Sequence, residues 1–291
     1  MNLCGKLGLG TVQWGQAYGI ANAEGRRPAD GEIGVMLGRA HAAGIDLLDT
    51  AQVYGEAETV IGRHAGDLDG WRIVTKAAPV MGEAVEAGLA QSLGRLQCAK
   101  VYGLLLHRQD DLTTAQGPAI WSALQRLKSQ RLVAKIGVSV YDPEQLERIV
   151  DQYEVDLVQL PFNLYDQRFL RAGWFDRLQR TGVEVHARSA FLQGLLLMTP
   201  EAMPAQFAAW SDHHCRLYRV IDTLGVSALA ASLRFCLQQP GIDRVIVGCE
   251  TPGQLDGILQ AAAASSASLP NPESFALDDG AMIDPRRWSR H

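Results

Sequence analysis

Short apolar runs alternate with longer stretches in which apolar residues recur three and four apart, the two periodicities expected of strands and helices. The runs fall at residues 7–11, 45–48, 73–76, 101–107, 135–139, 155–160, 183–189 and 244–248. Between them the helical pattern covers 30–43, which Asp30 caps and Gly44 closes, then 56–64 with Val60 and Ile61 on one face. It returns at 83–96, where Val85, Leu89, Leu93 and Leu96 share a face, and at 115–130. Asp142 and Pro143 open a further helix over 144–152, and others are predicted over 170–180, 215–224, 227–238 and 252–264. Strands that alternate with helices through short connections predict a parallel sheet, and eight of them predict a closed (β/α)8 barrel. One α/β domain, a TIM barrel over residues 1–264, is therefore expected. Residues 191–214 form a longer insertion. The tail, 265–291, begins small and polar and then carries Phe275, Met282 and Trp288, which predicts a segment packed near the barrel mouth or partly disordered.

Composition adds limits to this picture. With 291 residues of which 47% are hydrophobic, the chain can bury the core of one barrel of about 250 residues. Its net charge of -5 comes without a basic run, which argues against a nucleic-acid partner. No apolar run reaches the roughly 18 residues of a membrane span, and residues 1–6 lack the basic start and apolar core of a signal peptide. The five cysteines are scattered without a Cys-x-x-Cys pair, as expected of reduced thiols in a cytoplasmic protein. His213, His214 and Cys215 are consecutive, so their side chains diverge, and no metal site is expected. Oligomeric state is not encoded in any feature of the sequence.

Chemistry enters at the strand ends. Asp49 follows the second run, Lys76 closes the third and His107 closes the fourth, while Tyr54 sits in the loop after Asp49. The carboxyl ends of barrel strands are where catalytic groups collect. Taken singly, Asp49 with Lys76 reads equally well as an ion pair between strands, Tyr54 as a packing residue and His107 as a core histidine. Together, in the words Asp49-Thr50-Ala51-x-x-Tyr54-Gly55, Val74-Thr75-Lys76-Ala77 and Leu105-Leu106-His107-Arg108, they resemble the aldo-keto reductases over most of the chain.

That resemblance implies hydride exchange between a nicotinamide and an aldehyde, ketone or sugar carbonyl, with Tyr54 as proton donor and His107 orienting the oxygen. It further implies that Lys76 lowers the Tyr54 pKa while Asp49 keeps Lys76 charged. The cofactor residues it implies are Gly10 and Thr11 at the first strand end, Ser139 and Gln159 at the carboxamide, and Ser189, Phe191 and Gly194 around the pyrophosphate. Val140 stands where relatives carry asparagine. Arg188 stands where an aromatic ring would stack on the nicotinamide; it is expected to stack there and disfavour the cationic ring, or to face an acidic substrate or the pyrophosphate. Gly248 and Gln254 replace the lysine and arginine that would hold a 2'-phosphate, and Glu250 adds a negative charge. Family habit places NADP first, with NAD as the alternative. These departures also motivate a second reading, a nucleotide-binding sensor with little turnover. Trp14, Tyr18, Phe162 and Trp288 are expected to line an aromatic substrate pocket.

Overall fold

The computed structural model describes residues 3–22, 25–64, 70–78, 81–264 and 268–288. Eight strands pair in parallel, in chain order, and close on themselves: β1 (Leu7–Gly10), β2 (Leu47–Asp49), β3 (Arg72–Ala77), β4 (Val101–Leu106), β5 (Val133–Ser139), β6 (Leu157–Pro161), β7 (Glu184–Arg188) and β8 (Arg244–Gly248). The chain is a single-domain TIM barrel.

Period-two alternation along the strands builds the barrel interior in layers. Leu47, Val74, Leu105, Leu157 and Ile246 form an apolar cluster of their own inside the barrel. Burying each contributes roughly 1.5–3 kcal/mol, so the interior is a packed plug and not a pore. Two residues further along the same strands come Asp49, Lys76, His107, Gln159 and Gly248. Alternation therefore lifts the polar residues one layer above the plug, to the carboxyl-terminal mouth.

The helices cover the outside by their apolar faces. Gly117–Ser129 buries Ile120, Trp121, Leu124 and Leu127, and Pro143–Val150 starts where the Asp142 carboxylate accepts from the Gln145 amide at 2.8 Å. The helix expected over 170–180 is two, Arg168–Arg171 and Trp174–Arg180, because Gly173 between them has φ +72°. Both pieces face the core, which kept the apolar period intact across the break. A short helix, Val12–Gly15, follows β1.

Below the plug, the Glu184 carboxylate receives Tyr102 Oη at 2.5 Å, Lys135 Nζ at 2.5 Å and His186 Nε2 at 2.7 Å. Burial alone would raise the Glu184 pKa, but donation from His186, Lys135 and Tyr102 outweighs it and holds the carboxyl well below its usual value of 4.5. A carboxylate with a lowered native pKa stabilises the fold above its unfolded pKa, and that stability fades as pH falls below it. Glu184→Gln is thus expected to lose on the order of 2–4 kcal/mol at pH 7, with the deficit shrinking below about pH 4. Urea unfolding of both proteins across pH 3.5–7 checks this; a deficit independent of pH would remove the charge from the explanation.

A second apolar cluster joins the long β7 connection to the C-terminal segment: Tyr165, Leu192, Leu195 and Phe207 pack with Phe275, Met282, Ile283 and Trp288. The Leu277 amide donates to Tyr165 O at 2.8 Å, and Trp288 meets the Phe207 ring edge-on at 4.9 Å. His214 Nε2 lies 2.8 Å from Met198 O, which can only accept, so Nδ1 accepts from the Tyr165 hydroxyl at 2.7 Å. Its neighbour His213 instead donates to Phe275 O at 3.1 Å. Residues 265–267 and 289–291 of the tail lie outside the described residues. Among the described residues no single helix is long and apolar enough to cross a membrane.

Candidate active site

Two glycines set the loop that carries Tyr54. A Cβ on Gly15 would lie 1.7 Å from Tyr54 O, and one on Gly55, whose φ is +56°, would lie 2.5 Å from Gly15 O. Only bare backbone fits on either side of that contact, so the loops after β1 and β2 lock together and fix where Tyr54 stands. The ring lies 5.0 Å from Lys76 Nζ and meets His107 edge-on at 5.8 Å.

Lys76 Nζ donates to Asp49 Oδ2 at 2.6 Å and to Thr50 O at 2.9 Å, and the two side chains are 1% and 6% exposed. The other Asp49 oxygen accepts from Gln159 Nε2 at 2.7 Å. This buried carboxylate is therefore satisfied on both sides, as its burial requires. One amide hydrogen of Gln159 is committed to Asp49, and its carbonyl oxygen remains as an acceptor.

The electrostatics depart from expectation at Tyr54. Tyr54 was expected to be acidified by Lys76, but burial pushes its phenol well above the ordinary 10, Asp49 pushes it further, and Arg188 opposes both. At Lys76 burial lowers the pKa from 10.5, and Asp49 acts in the expected sense, raising it. Burial is the largest cause at both groups, and at the phenol the Asp49 charge adds to it. Burial, then Lys76 and Arg188, pull His107 down to about 4, so the ring is neutral at physiological pH. Its Nδ1 is buried without a partner among the described residues, and the ring lines the cleft.

All four groups line one cleft of about 410 Å³, which also takes in the residues expected at the cofactor: Gly10, Thr11, Ser139, Gln159, Arg188, Ser189, Phe191, Gly194, Gly248 and Gln254. It extends from Lys76 to the start of the helix Pro252–Ala263, capped by Thr251. Along it lie Gly248, Gly253 and Gly257, without side chains, and the buried, unpartnered Gln13 Oε1. An elongated groove with bare backbone, unpaired amide groups and a helix N-terminus fits a dinucleotide. Ser189, Leu192, Gln193 and Gly194 all take positive φ, and a Cβ on Gly194 would lie 2.5 Å from Ala21 Cβ. The loop after β7 is thus pressed against the loop after β1 across the cleft.

Some placements differ from the sequence reading. Of the aromatics expected in the pocket, Tyr18 lines the cleft, whereas Trp14 and Phe162 are core residues and Trp288 lies in the second apolar cluster. Tyr141, which the reading missed, lines the cleft instead; its place just beyond Ser139 at a strand end was the available signal. The Gln13 amide fills the space before Gly248, 2.4 Å from where a Cβ would sit.

The profile of the Aldo/keto reductase family matches residues 6–268. The chain belongs to that family. As an aldo-keto reductase it is an NAD(P)H-dependent oxidoreductase. It is 24% identical over 247 residues to the aldo-keto reductase YhdN of Bacillus subtilis, covering 74% of each chain. Among solved structures it resembles the holo form of an aldo-keto reductase from Bacillus halodurans, with a TM-score of 0.77 at 19% identity over 97% of this chain and 95% of that one. It also resembles a glycerol dehydrogenase from Gluconobacter oxydans, with a TM-score of 0.71 at 22% identity over 92% and 89% of the two chains. At these identities the structural likenesses carry the fold, and the family profile carries the assignment.

Proposed function

We propose that this reductase transfers a hydride between a nicotinamide dinucleotide and a small aldehyde, ketone or sugar carbonyl, with Tyr54 giving the proton to the carbonyl oxygen. The observation that carries the reading is the convergence of the Tyr54 hydroxyl, the neutral His107 ring and the Asp49–Lys76 pair on one cleft. A bound nicotinamide supplies the hydride. Ser139 and the Gln159 carbonyl oxygen would hold its carboxamide, Gly10 and Thr11 would leave room at the ribose, and Ser189, Phe191 and Gly194 would wrap the pyrophosphate. His107 Nε2 orients the carbonyl by donation, and Tyr54 protonates the developing alkoxide. The unfavourable Tyr54 pKa of the free cleft fits a donor whose proton leaves only when an oxyanion forms beside it.

Family habit places NADP first, but the far end of the cleft supports NAD. Gln13 occupies the space before Gly248, and the Gln254 side-chain oxygen accepts from the Glu250 amide at 2.7 Å. Arg26 is the nearby cation, yet it is bonded to both Glu32 oxygens and to Glu250 O. A 2'-phosphate would meet a carboxylate and neutral amides there. Gln254→Arg is accordingly expected to tighten NADPH binding roughly tenfold while leaving NADH within about twofold. Equal effects on both would move the adenosine end elsewhere.

Parallel fluorescence titration with NADPH and NADH, followed by a panel of aldehydes, ketones and sugars, tests the function. Turnover supports the reductase. Tight binding without turnover supports the sensor reading, which the replaced cations at Gly248 and Gln254 favour, and absence of binding overturns both.

A further inference from the structure

Arg188 ends β7 and lines the same cleft as Tyr54, Lys76 and His107. Its guanidinium lies 4.1 Å from the Tyr141 ring centroid and donates from Nη2 to Val140 O at 3.0 Å and from Nη1 to Ser189 Oγ at 3.3 Å. These partners fix its position without cancelling its charge. Among the described residues no carboxylate pairs with it. Arg286, from the C-terminal segment, also approaches the Tyr141 ring, at 3.6 Å, but unlike Arg188 it is held in a two-pronged pair with a carboxylate, that of Asp284.

Charge at this end of the cleft comes from few groups. Asp49 and Lys76 carry none in sum, whether as an ion pair or with the proton shared between them. Burial keeps His107 and Tyr54 neutral near pH 7, and Tyr18 is pushed up to about 12 and is neutral as well. Arg108, which also acts on His107, faces Asp111 at 3.5 Å; what remains among the groups lining this end of the cleft is the positive charge of Arg188, felt at Tyr54, Lys76, His107 and Tyr18 alike.

A reduced nicotinamide ring is neutral. Giving up a hydride, two electrons with one proton, to a carbonyl carbon leaves the ring with one positive charge, while Tyr54 supplies the proton that completes the alcohol. Any ring close enough to react with a carbonyl held by Tyr54 and His107 lies in the field of Arg188. From this we infer that Arg188 makes the cleft discriminate between the two redox states of the cofactor, holding the reduced, neutral ring more tightly than the oxidised, cationic one. The inference rests on the carbonyl-reductase reading and adds to it a residue that sets the poise of the bound couple and hastens release of the oxidised cofactor after each reduction.

The test is equilibrium binding of both redox states of the preferred dinucleotide to the wild type, Arg188→Met and Arg188→Lys. The Met variant keeps the length of the stem and removes the charge; the Lys variant keeps the charge. The ratio of the oxidised to the reduced Kd is expected to fall by about tenfold in Arg188→Met and to stay within about twofold in Arg188→Lys. Tenfold corresponds to about 30 mV in the potential of the bound couple. Equal weakening of both redox states in Arg188→Met would assign the charge to the pyrophosphate and overturn the inference. So would unchanged affinities accompanied by a selective loss of turnover with carboxylate-bearing aldehydes, which would assign it to the substrate. Failure of the wild type to bind any dinucleotide would instead overturn the reductase reading, and this inference with it.

Discussion

Tyr54→Phe is expected to lower kcat for carbonyl reduction by roughly 10²–10⁴-fold while dinucleotide Kd stays within about twofold. The substitution removes one oxygen and keeps the ring whose edge contact with His107 and approach to Lys76 help to shape the cleft. Folding is protected because the interlock at Gly15 and Gly55 is made by backbone. Stopped-flow single turnover with reduced cofactor separates hydride transfer from product release, so a loss confined to kcat can be traced to the chemical step. Retention of most of the single-turnover rate would mean that water or His107 supplies the proton. The latter would also appear as an acidic limb in the pH profile near the His107 pKa of about 4, where the ring first becomes charged.

Fold and site were legible in the sequence to different depths, for physical reasons. The barrel was readable because each strand is a short apolar run bounded by turn residues, and the edges erred by a residue or two where runs pass into loops. β8 was placed at its observed bounds because Asp243 and Cys249 flank an unbroken Arg-Val-Ile-Val-Gly run. The break at Gly173 was hidden because two helical pieces facing one core keep one period. At the site, position along a strand was enough to bring Asp49, Lys76, His107 and Gln159 together, since period-two alternation fixes which residues look inward. Direction of reach was not readable. Trp14 and Gln13 are neighbours on one short helix, yet the indole enters the core and the amide enters the cleft. The sign of a pKa shift was equally hidden, because the charges near Tyr54 can be read from the residues but the burial of its phenol cannot.

Lys76→Met is expected to cost about 3–5 kcal/mol of stability and to abolish turnover, because it leaves the Asp49 carboxylate buried with Gln159 as its remaining side-chain donor. Urea unfolding gives the first quantity and the carbonyl assay the second. A structural role alone would produce the same pair of losses, so the informative measurement is the double variant Asp49→Asn with Lys76→Met. Removing both charges eliminates the uncompensated ion, and the double variant should regain a large part of the lost stability, with a coupling energy of about 0.5–3 kcal/mol between the sites. Its turnover should stay absent, because an amide and a thioether reproduce neither the ammonium 5.0 Å from the Tyr54 ring centroid nor the carboxylate that holds it there. Recovery of turnover together with stability would reduce the pair to a brace between β2 and β3. Recovery of stability without turnover would separate two functions of one ion pair, mutual satisfaction in the barrel's interior and a part in the proposed chemistry beside the Tyr54 ring.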